Sequence, residues 1–179
     1  MDKIIAKTTG KTSQIDSSIF KAYDIRGTYP HQINEYVAYR LGRAFVVFLK
    51  CKQVVIGRDM RLSSPSLHDA LIMGITDQGA DVVDVGICST PMLYFSIADY
   101  DNESGIMITA SHNPKEYNGF KLCRRKAGSI SGYSGIEEIK KIMLENKFDD
   151  SKDRRSKLCR KDAWDQQSSK RDKKAEDCS

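Results

Sequence analysis

Two short polar segments hold the side chains best suited to chemistry in this 179-residue chain. Residues 23–27 (YDIRG) precede the first helical pattern, and residues 109–114 (TASHNP) follow directly after an apolar run. In the second segment, small neighbours leave Ser111 exposed, and the Asn113-Pro114 pair forces a turn. An exposed serine followed by an imidazole, His112, first suggests nucleophilic chemistry.

A serine hydrolase is one interpretation of this serine and histidine, and the sequence argues against it. Ser111 and His112 are adjacent, and neighbours in an extended segment point to opposite faces. A catalytic triad uses a distant histidine that a carboxylate orients. The other histidines, His31 and His68, lie in no loop that suggests this role, and the GxSxG turn of the α/β-hydrolases is absent from the sequence.

Alternating helical and strand patterns predict the framework that positions these segments. Apolar spacings of three and four predict a helix over 33–50. Ser64-Pro65 reads as an N-cap and first helical residue, and that helix ends near Gly79. Ser134 and Glu137 form a capping-box pattern before a last helix. Shorter runs predict strands over 53–56, 81–85, 105–109 and 119–123, and a helix over 90–98. Helices between strands favour a largely parallel, right-handed α/β layer.

This arrangement places the serine segment where ligands usually bind. Loops at the carboxyl ends of strands form the ligand crevice of open α/β sheets, and residues 109–114 follow such a strand. Residues 117–121 (YNGFK) then return Lys121 towards the same neighbourhood.

Composition limits the class of protein. Apolar residues make up 40% and charged residues 30%, which suits a globular domain. The longest apolar run, 44–49, is far shorter than the roughly 20 residues of a membrane-spanning helix, and no apolar signal segment follows the N-terminal lysines. Five cysteines without a CxxC pair argue against a disulfide scaffold or structural zinc, and they favour a reducing cytoplasm.

The two ends of the chain differ from its centre. Residues 1–18 lack periodicity and are predicted to be a mobile lead, whereas 19–150 form the folded domain. Residues 151–179 carry ten basic and six acidic groups with no apolar period, which predicts a basic, disordered tail. The abrupt change near residue 150 suggests a truncated or frame-shifted protein.

Four segments in order resemble the α-D-phosphohexomutases, and within them the bacterial phosphomannomutase/phosphoglucomutase branch. These segments are 23–27 (YDIRG), 57–59 (GRD), 109–114 (TASHNP) and 117–121 (YNGFK). The resemblance runs from about residue 20 to 146 and covers the first domain of a four-domain fold. It implies a layered α/β/α domain with a mainly parallel, mixed sheet, whose natural neighbours are the missing domains 2–4.

The resemblance also implies a reaction, the interconversion of hexose 1-phosphate and 6-phosphate through a phosphoserine and a bisphosphate intermediate. Ser111 matches the phosphoserine, and His112, Lys121 and Arg26 match other catalytic positions. Tyr23 matches a substrate-binding position, a role that Arg26, Ser111 and Lys121 share. The implied partners are mannose or glucose 1- and 6-phosphates, with neither nucleic acid nor membrane, and the implied activator is a hexose 1,6-bisphosphate.

Magnesium is the implied cofactor, and the chain holds only part of its site. The resemblance implies Mg²⁺ on one oxygen of phosphorylated Ser111 and on three carboxylates of a DGDGDR-type loop in a second domain, which this sequence lacks. The sugar-selecting and distal phosphate-binding loops of the third and fourth domains are also missing. We therefore expect a fragment without mutase turnover of its own.

Simpler interpretations remain open for each of these residues. Ser111 could end a strand through a side-chain turn, and His112 could make only a turn hydrogen bond. Arg26 could pair with Asp24 at the surface, and Lys121 could face solvent from a strand.

Two further alternatives concern other parts of the chain. For 57–59 we favour capping and backbone turning ahead of Ser64-Pro65. A different function class is a stand-alone α/β binding module whose basic tail contacts an acidic partner, with steep salt dependence. The six acids within the tail and its single aromatic residue weaken that alternative.

Overall fold

The computed structural model describes residues 15–100 and 102–148 and the backbone of 158–160. Its strands are β1 (Ile25–Thr28), β2 (Gln53–Arg58), β3 (Asp81–Ile87), β4 (Ser104–Ile108), β5 (Tyr117–Arg124), β6 (Gly128–Ser129) and β7 (Leu158–Arg160). Its α-helices are α1 (Glu35–Leu49), α2 (Ser64–Asp77), α3 (Thr90–Asp99) and α4 (Ile136–Glu145). Short 3-10 turns span Ser17–Ile19, Arg125–Ala127 and Gly132–Ser134.

The strands form one mixed sheet in the order β1-β5-β4-β2-β3-β7, with β6 beside β5. β2 pairs in parallel with β3 and β4, as the intervening helices predict. β5 pairs antiparallel with β4, because it follows β4 after a short loop that holds no helix, and it also pairs antiparallel with β1. The predicted α/β/α fold with a mixed sheet is confirmed, with its parallel part in the centre and its antiparallel part towards β1.

Two apolar cores cover the faces of the sheet unequally. The larger core joins α1, α2 and α4 to one face, and Phe45 and Phe120 are its largest fully buried side chains. The smaller core lies under α3 and consists of Val55, Val83, Leu93, Ile97, Met107 and Cys123. Among the described elements, α3 therefore covers the second face alone, and the β5–β1 end of that face stays open.

The two ends of α2 confirm the predicted glycine stop and correct the predicted N-cap. Gly79 (φ 85) follows α2, where its N–H bonds Thr76 O and the N–H of Ala80 bonds Ile75 O. This pair of bonds is a Schellman motif, as the predicted glycine stop requires. The predicted N-cap of α2 is wrong by one residue, because Ser63 takes that position and Ser64 lies inside the helix.

The predicted capping box of the last helix is also wrong. Ser131 and Ser134 form the box, around the 3-10 turn Gly132–Ser134. Gly135, at φ 146, then separates that turn from α4, so the side chain of Ser134 is already engaged before the helix begins. Glu137 lies in the first turn of α4 as an ordinary acidic residue.

Strand β1 was not predicted, since residues 23–27 were read as a loop. Ile25 and Gly27 are buried and Arg26 is half-buried, which is strand alternation over too few residues to be recognised in a sequence. Placing Arg26 in a strand fixes its side chain on one face of the sheet.

The predicted ends of the chain overlap little with the described residues. Ile15 is buried and Asp16 caps the turn Ser17–Ile19, so the last residues of the predicted mobile lead belong to the fold. Residues 1–14 lie outside the described part. The predicted disordered tail also lies outside it, except that the backbone of 158–160 pairs with β3. No helix in 15–100 or 102–148 is long and apolar enough to cross a membrane.

Candidate active site

Ser111 lies on an exposed turn just beyond the carboxyl end of β4, as predicted. Its backbone has the left-handed conformation (φ 55), which is uncommon for a residue with a side chain. The Ser111 N–H donates to Thr109 Oγ1 at 3.0 Å. The Asn113 N–H and side-chain amide both donate to the Ala110 carbonyl, at 3.1 and 2.7 Å. The predicted turn is therefore built from local side-chain bonds that leave the serine hydroxyl exposed.

Ser111 and His112 do not point to opposite faces, so that expectation is wrong. Ser111 Oγ lies 3.2 Å from His112 Nδ1, within hydrogen-bonding distance. The expectation assumed extended backbone, and the left-handed conformation of Ser111 turns both side chains to one side. The imidazole can therefore exchange a proton with the hydroxyl.

The guanidinium of Arg61 binds backbone carbonyls of the loop that carries Ser111, residues 109–117, here named the serine loop. Nη1 and Nη2 each donate to two backbone carbonyls of the loop, at distances of 2.7 to 3.1 Å. The four acceptors belong to Ser111, Asn113, Pro114 and Tyr117. Nε lies 3.2 Å from Asp59 Oδ2, and the Arg61 side chain is 16% exposed. Arg61 was not predicted, since one arginine in a polar loop has no spacing that marks it.

Of residues 57–59, Asp59 alone turns the backbone, whereas Gly57 and Arg58 pair with β4 as strand residues, so the favoured interpretation of capping and turning holds only for the turn at Asp59. Gly57 and Arg58 end β2, and Asp59 Oδ1 accepts bonds from Arg61 N at 3.0 Å and from Ser64 Oγ at 2.7 Å. The Asp59 carboxylate thereby connects the start of α2 to Arg61.

Asn118 joins the YNGFK segment to the same helix end. It is fully buried, and its Nδ2 donates to Ser63 Oγ at 2.8 Å and to Ser64 Oγ at 3.1 Å. Its Oδ1 accepts the N–H of Gly119 at 2.8 Å. The loop that carries Ser111 is thus fixed at both sides to the segment before α2.

Arg26 and Lys121 converge on one carboxylate on the open face of the sheet. Arg26 pairs with Gly119 in the β1–β5 ladder, and Lys121 lies two residues farther along β5, so both point to the same face. Asp24 Oδ2 lies 3.8 Å from Arg26 Nη1 and 3.6 Å from Lys121 Nζ. The alternative that paired Arg26 with Asp24 is confirmed as a contact, and Lys121 shares that contact rather than simply facing solvent.

Gly119 lies between these cations and the serine loop. It pairs with Arg26 on one side, and on the other side its carbonyl accepts the Thr109 N–H at 2.9 Å. A Cβ at Gly119 would lie 2.3 Å from the Ile25 carbonyl oxygen, so only glycine allows β1 to approach this closely. The sheet therefore brings the strand that leads to Ser111 and the strand that holds Arg26 to either side of β5.

The remaining predicted site residue, Tyr23, is 75% exposed beside Asp24. A cleft of 870 Å³ also opens beside Ser111, between the loops around Tyr29, 59–63 and 111–116. Its lining includes Ser111 and Arg61 but neither Arg26 nor Lys121. Arg26 and Lys121 therefore lie on the open face of the sheet and outside this cleft.

The described residues do not form a magnesium site. Residues 15–100 and 102–148 contain no group of three histidine, cysteine or acidic side chains that could hold a metal ion. The Asp59 carboxylate, which joins the loop before α2 to Arg61, already accepts two hydrogen bonds on Oδ1 and forms an ion pair through Oδ2. Ser111 is thus the one predicted ligand in this part of the chain.

A buried histidine outside the site has a perturbed pKa. His68 Nδ1 lies 3.1 Å from Asp69 Oδ1, and Nε2 lies 3.1 Å from Asp84 Oδ1 without the alignment of a hydrogen bond. Burial, the largest single influence, lowers the pKa of His68, but the two carboxylates together raise it above its ordinary value.

Comparisons with known proteins agree with this geometry. The family model for "Phosphoglucomutase/phosphomannomutase, alpha/beta/alpha domain I" matches residues 17–150. Over 129 residues, or 72% of the chain, it is 48% identical to a phosphomannomutase of Klebsiella pneumoniae and 48% identical to one of Escherichia coli. The chain spans 82% of the first relative's length and 28% of the second's.

Solved structures show the same similarity. A phosphoglucomutase/phosphomannomutase family protein of Burkholderia thailandensis superimposes with a TM-score of 0.75 at 37% identity. The match covers 86% of this chain and 35% of that protein.

Proposed function

This chain belongs to the phosphoglucomutase/phosphomannomutase family, and residues 17–150 are the family's α/β/α domain I. We propose that Ser111 carries the phosphoryl group that is exchanged between hexose 1-phosphate and hexose 6-phosphate. The observation that carries this proposal is the exposed Ser111 hydroxyl on a turn fixed at the end of β4. Positioning of the reacting groups is the main requirement of phosphoryl transfer.

The proposed reaction proceeds in two balanced transfers. Phosphorylated Ser111 gives its phosphoryl group to a free hydroxyl of the hexose monophosphate, so that a sugar O–P bond forms and the Ser111 Oγ–P bond breaks. The sugar hydroxyl proton passes to a nearby base, and the leaving Ser111 Oγ takes up a proton. After the bisphosphate turns around, Ser111 Oγ gives up that proton and bonds the other phosphorus, the sugar O–P bond at that phosphorus breaks, and a proton returns to the freed sugar oxygen.

The surrounding side chains have proposed roles in these transfers. Arg26 and Lys121 bind phosphate oxygens and assist proton transfer at the sugar, since two cations within 4 Å of one carboxylate oxygen can also engage an anionic ligand. His112 exchanges a proton with Ser111 Oγ across 3.2 Å. The exposed ring of Tyr23 contacts the sugar.

The finer parts of the proposal concern the cofactor and the extent of the protein. Magnesium, which would neutralise phosphate charge, would have phosphorylated Ser111 as one ligand, and a hexose 1,6-bisphosphate would supply the first phosphoryl group. We also propose that the chain alone lacks turnover and resides in the cytoplasm. In support of the cytoplasm, Cys51, Cys88 and Cys123 are free thiols.

Phosphoryl loading tests the proposal directly. The purified chain is incubated with glucose 1,6-bisphosphate, and the modified residue is located by peptide mass spectrometry. We expect one phosphoryl group on Ser111 and none on Ser111→Ala, since loading is a single transfer. We expect no formation of mannose 6-phosphate from mannose 1-phosphate, since turnover also needs the bisphosphate to turn around and bind again. Loading that persists in Ser111→Ala, or no loading at all, would contradict the assigned role of Ser111. Clear turnover by a homogeneous preparation would contradict only the expected inactivity of the chain alone.

A further inference from the structure

The strongest unassigned feature near Ser111 is the set of contacts made by Arg61. We infer that Arg61 is a positioning residue, which holds Ser111 in its left-handed conformation so that Oγ stays fixed for phosphoryl transfer. The inference rests on the proposed function for its chemical consequence, whereas the positioning itself concerns the free chain.

The contacts of Arg61 use every side of its guanidinium. Nη1 and Nη2 bind four loop carbonyls, and Nε pairs with Asp59. A planar guanidinium presents its donors in a rigid fork, so these bonds fix the relative positions of acceptors spread over residues 111–117. The side chain is 16% exposed, which limits competition from water.

The conformation of Ser111 needs such support. A non-glycine residue with positive φ persists when its surroundings determine it from several sides. At Ser111 the N–H is held by Thr109 Oγ1 at 3.0 Å, and the carbonyl is held by Arg61 Nη2 at 3.1 Å. Because both backbone polar groups of Ser111 are held, its side chain is directed outward to solvent.

Arg61 acts by shape rather than by charge. Its charge is paired with Asp59 at 3.2 Å, and Asp59 is in turn held by Ser64 Oγ. A lysine at position 61 would keep the positive charge, but its ammonium group cannot reach four carbonyls in a fixed plane. We therefore expect Arg61→Lys to behave like a neutral variant at this position.

Three variants of the full chain test the inference. Arg61→Lys and Arg61→Gln remove the fork, whereas Arg43→Lys serves as a matched control. Arg43 is also part-buried, donates from Nε to Gln78 Oε1 at 3.1 Å, and stacks on the ring of Phe148 on α1's side of the sheet. Arg43→Lys therefore controls for the general effects of losing a packed arginine and its hydrogen bond.

Two measurements are made on each variant. NMR gives the Ser111 Cα chemical shift, which reports backbone conformation, and the hydrogen-exchange rates of the loop amides of Ser111, Asn113 and Tyr117. Rapid mixing with glucose 1,6-bisphosphate gives the rate of phosphoryl loading of Ser111. In both Arg61 variants we expect a shifted Ser111 Cα signal, at least about tenfold faster loop exchange and about 100-fold slower loading. Arg43→Lys should match the wild-type chain in all three.

The outcomes separate this inference from the proposed function. If Arg61 variants keep the Ser111 signal and the exchange rates of the wild type, or if the loop loosens while loading is unchanged, the inference is overturned. Rescue of loading by Arg61→Lys would also overturn it, because charge would then suffice. If the wild-type chain takes up no phosphoryl group, the proposed function fails, and the Ser111 signal alone decides whether Arg61 holds the serine.

Discussion

The serine loop and the cation pair are held in place by different physical means. Around Ser111, directional hydrogen bonds of 2.7 to 3.1 Å join Arg61 to four backbone carbonyls. Around Asp24, the contacts to Arg26 and Lys121 are ion pairs at 3.8 and 3.6 Å, on long side chains that are about one quarter to one third exposed.

The difference shows which of the two regions is held more firmly. Short, directional bonds to backbone atoms fix a position, whereas longer ion pairs near water fix only an approximate location and contribute little energy. We conclude that the serine is preorganised, and that the cations can exchange their carboxylate for an anionic ligand. A substitution that disturbs one region should therefore leave the signals of the other region unchanged.

The largest expected effect on stability comes from Gly119→Ala. The new Cβ would lie 2.3 Å from the Ile25 carbonyl oxygen, which belongs to a backbone that cannot rotate away. We expect a loss of about 1–3 kcal/mol in the free energy of unfolding, as for an overpacked site, measured by urea denaturation.

The structural damage from Gly119→Ala should stay on the β1 side of β5. Strand β1 should move and displace Arg26, so amide exchange should rise in 25–28 while the amide of Asn113 keeps its protection. Gly128→Ala is a suitable control, since its Cβ would meet the flexible Arg124 side chain no closer than 3.0 Å. Equal loosening of both regions would contradict the separation between them.

A smaller effect is expected from Asp24→Asn, which removes the shared carboxylate charge and keeps its shape. The free energy of unfolding should change by about 1 kcal/mol or less, as for partly exposed ion pairs. Because Asp24 competes with anions for both cations, inorganic phosphate should bind a few-fold more tightly to the variant.

A phosphate titration followed by the amide signal of Gly119 measures this change, with Glu138→Gln as an exposed acidic control. Unchanged or weaker phosphate binding would show that Asp24 organises the two cations instead of competing for them. The signals of the serine loop should stay the same in either case.

The smallest expected effect lies outside both regions, at His68. Its pKa is raised in the folded protein, so the folded state binds its proton more tightly than the unfolded state does. This contribution to stability is fully present below the unfolded pKa of about 6.5 and is lost as the pH rises through the folded pKa. The melting temperature of the wild-type chain should therefore gain from acidification over this window.

His68→Gln should remove that gain, whereas His31→Gln, at an exposed position, should keep it. The loop signals of Ser111 should not follow this titration, because His68 pairs with Asp69 and Asp84. If the NMR signals of the serine loop changed with the same pH midpoint as His68, the titration of His68 would be coupled to Ser111, contrary to this prediction.

The sequence predicted those features that arise from local chemistry. Helical spacing located α1 and α2, β-branched runs located β2 and β3, and the Asn-Pro turn indicated an exposed Ser111. Each of these depends on neighbours within about one helical turn or one strand. The four motif segments added the phosphohexomutase resemblance, which the family match confirms, and the roles of the site residues remain predictions.

The features that escaped prediction depend on contacts that are distant in sequence or on unusual backbone angles. β1 exists because it pairs with β5, about ninety residues away in the sequence, and the Arg61 acceptors lie about fifty residues downstream of Arg61. The contact between Ser111 and His112 needs a positive φ that no residue type announced. Long-range hydrogen bonding, rather than hydrophobic pattern, therefore sets the geometry of this site.

Amide hydrogen exchange of the unphosphorylated wild-type chain tests the central claim most directly. If the serine loop is preorganised, the amides of Ser111, Asn113 and Tyr117 should exchange much more slowly than those of an unstructured peptide, and they should keep their rates when Ser111 is phosphorylated. Fast exchange before phosphorylation, with protection that appears only afterwards, would contradict the claim and show that the phosphoryl group itself orders the loop.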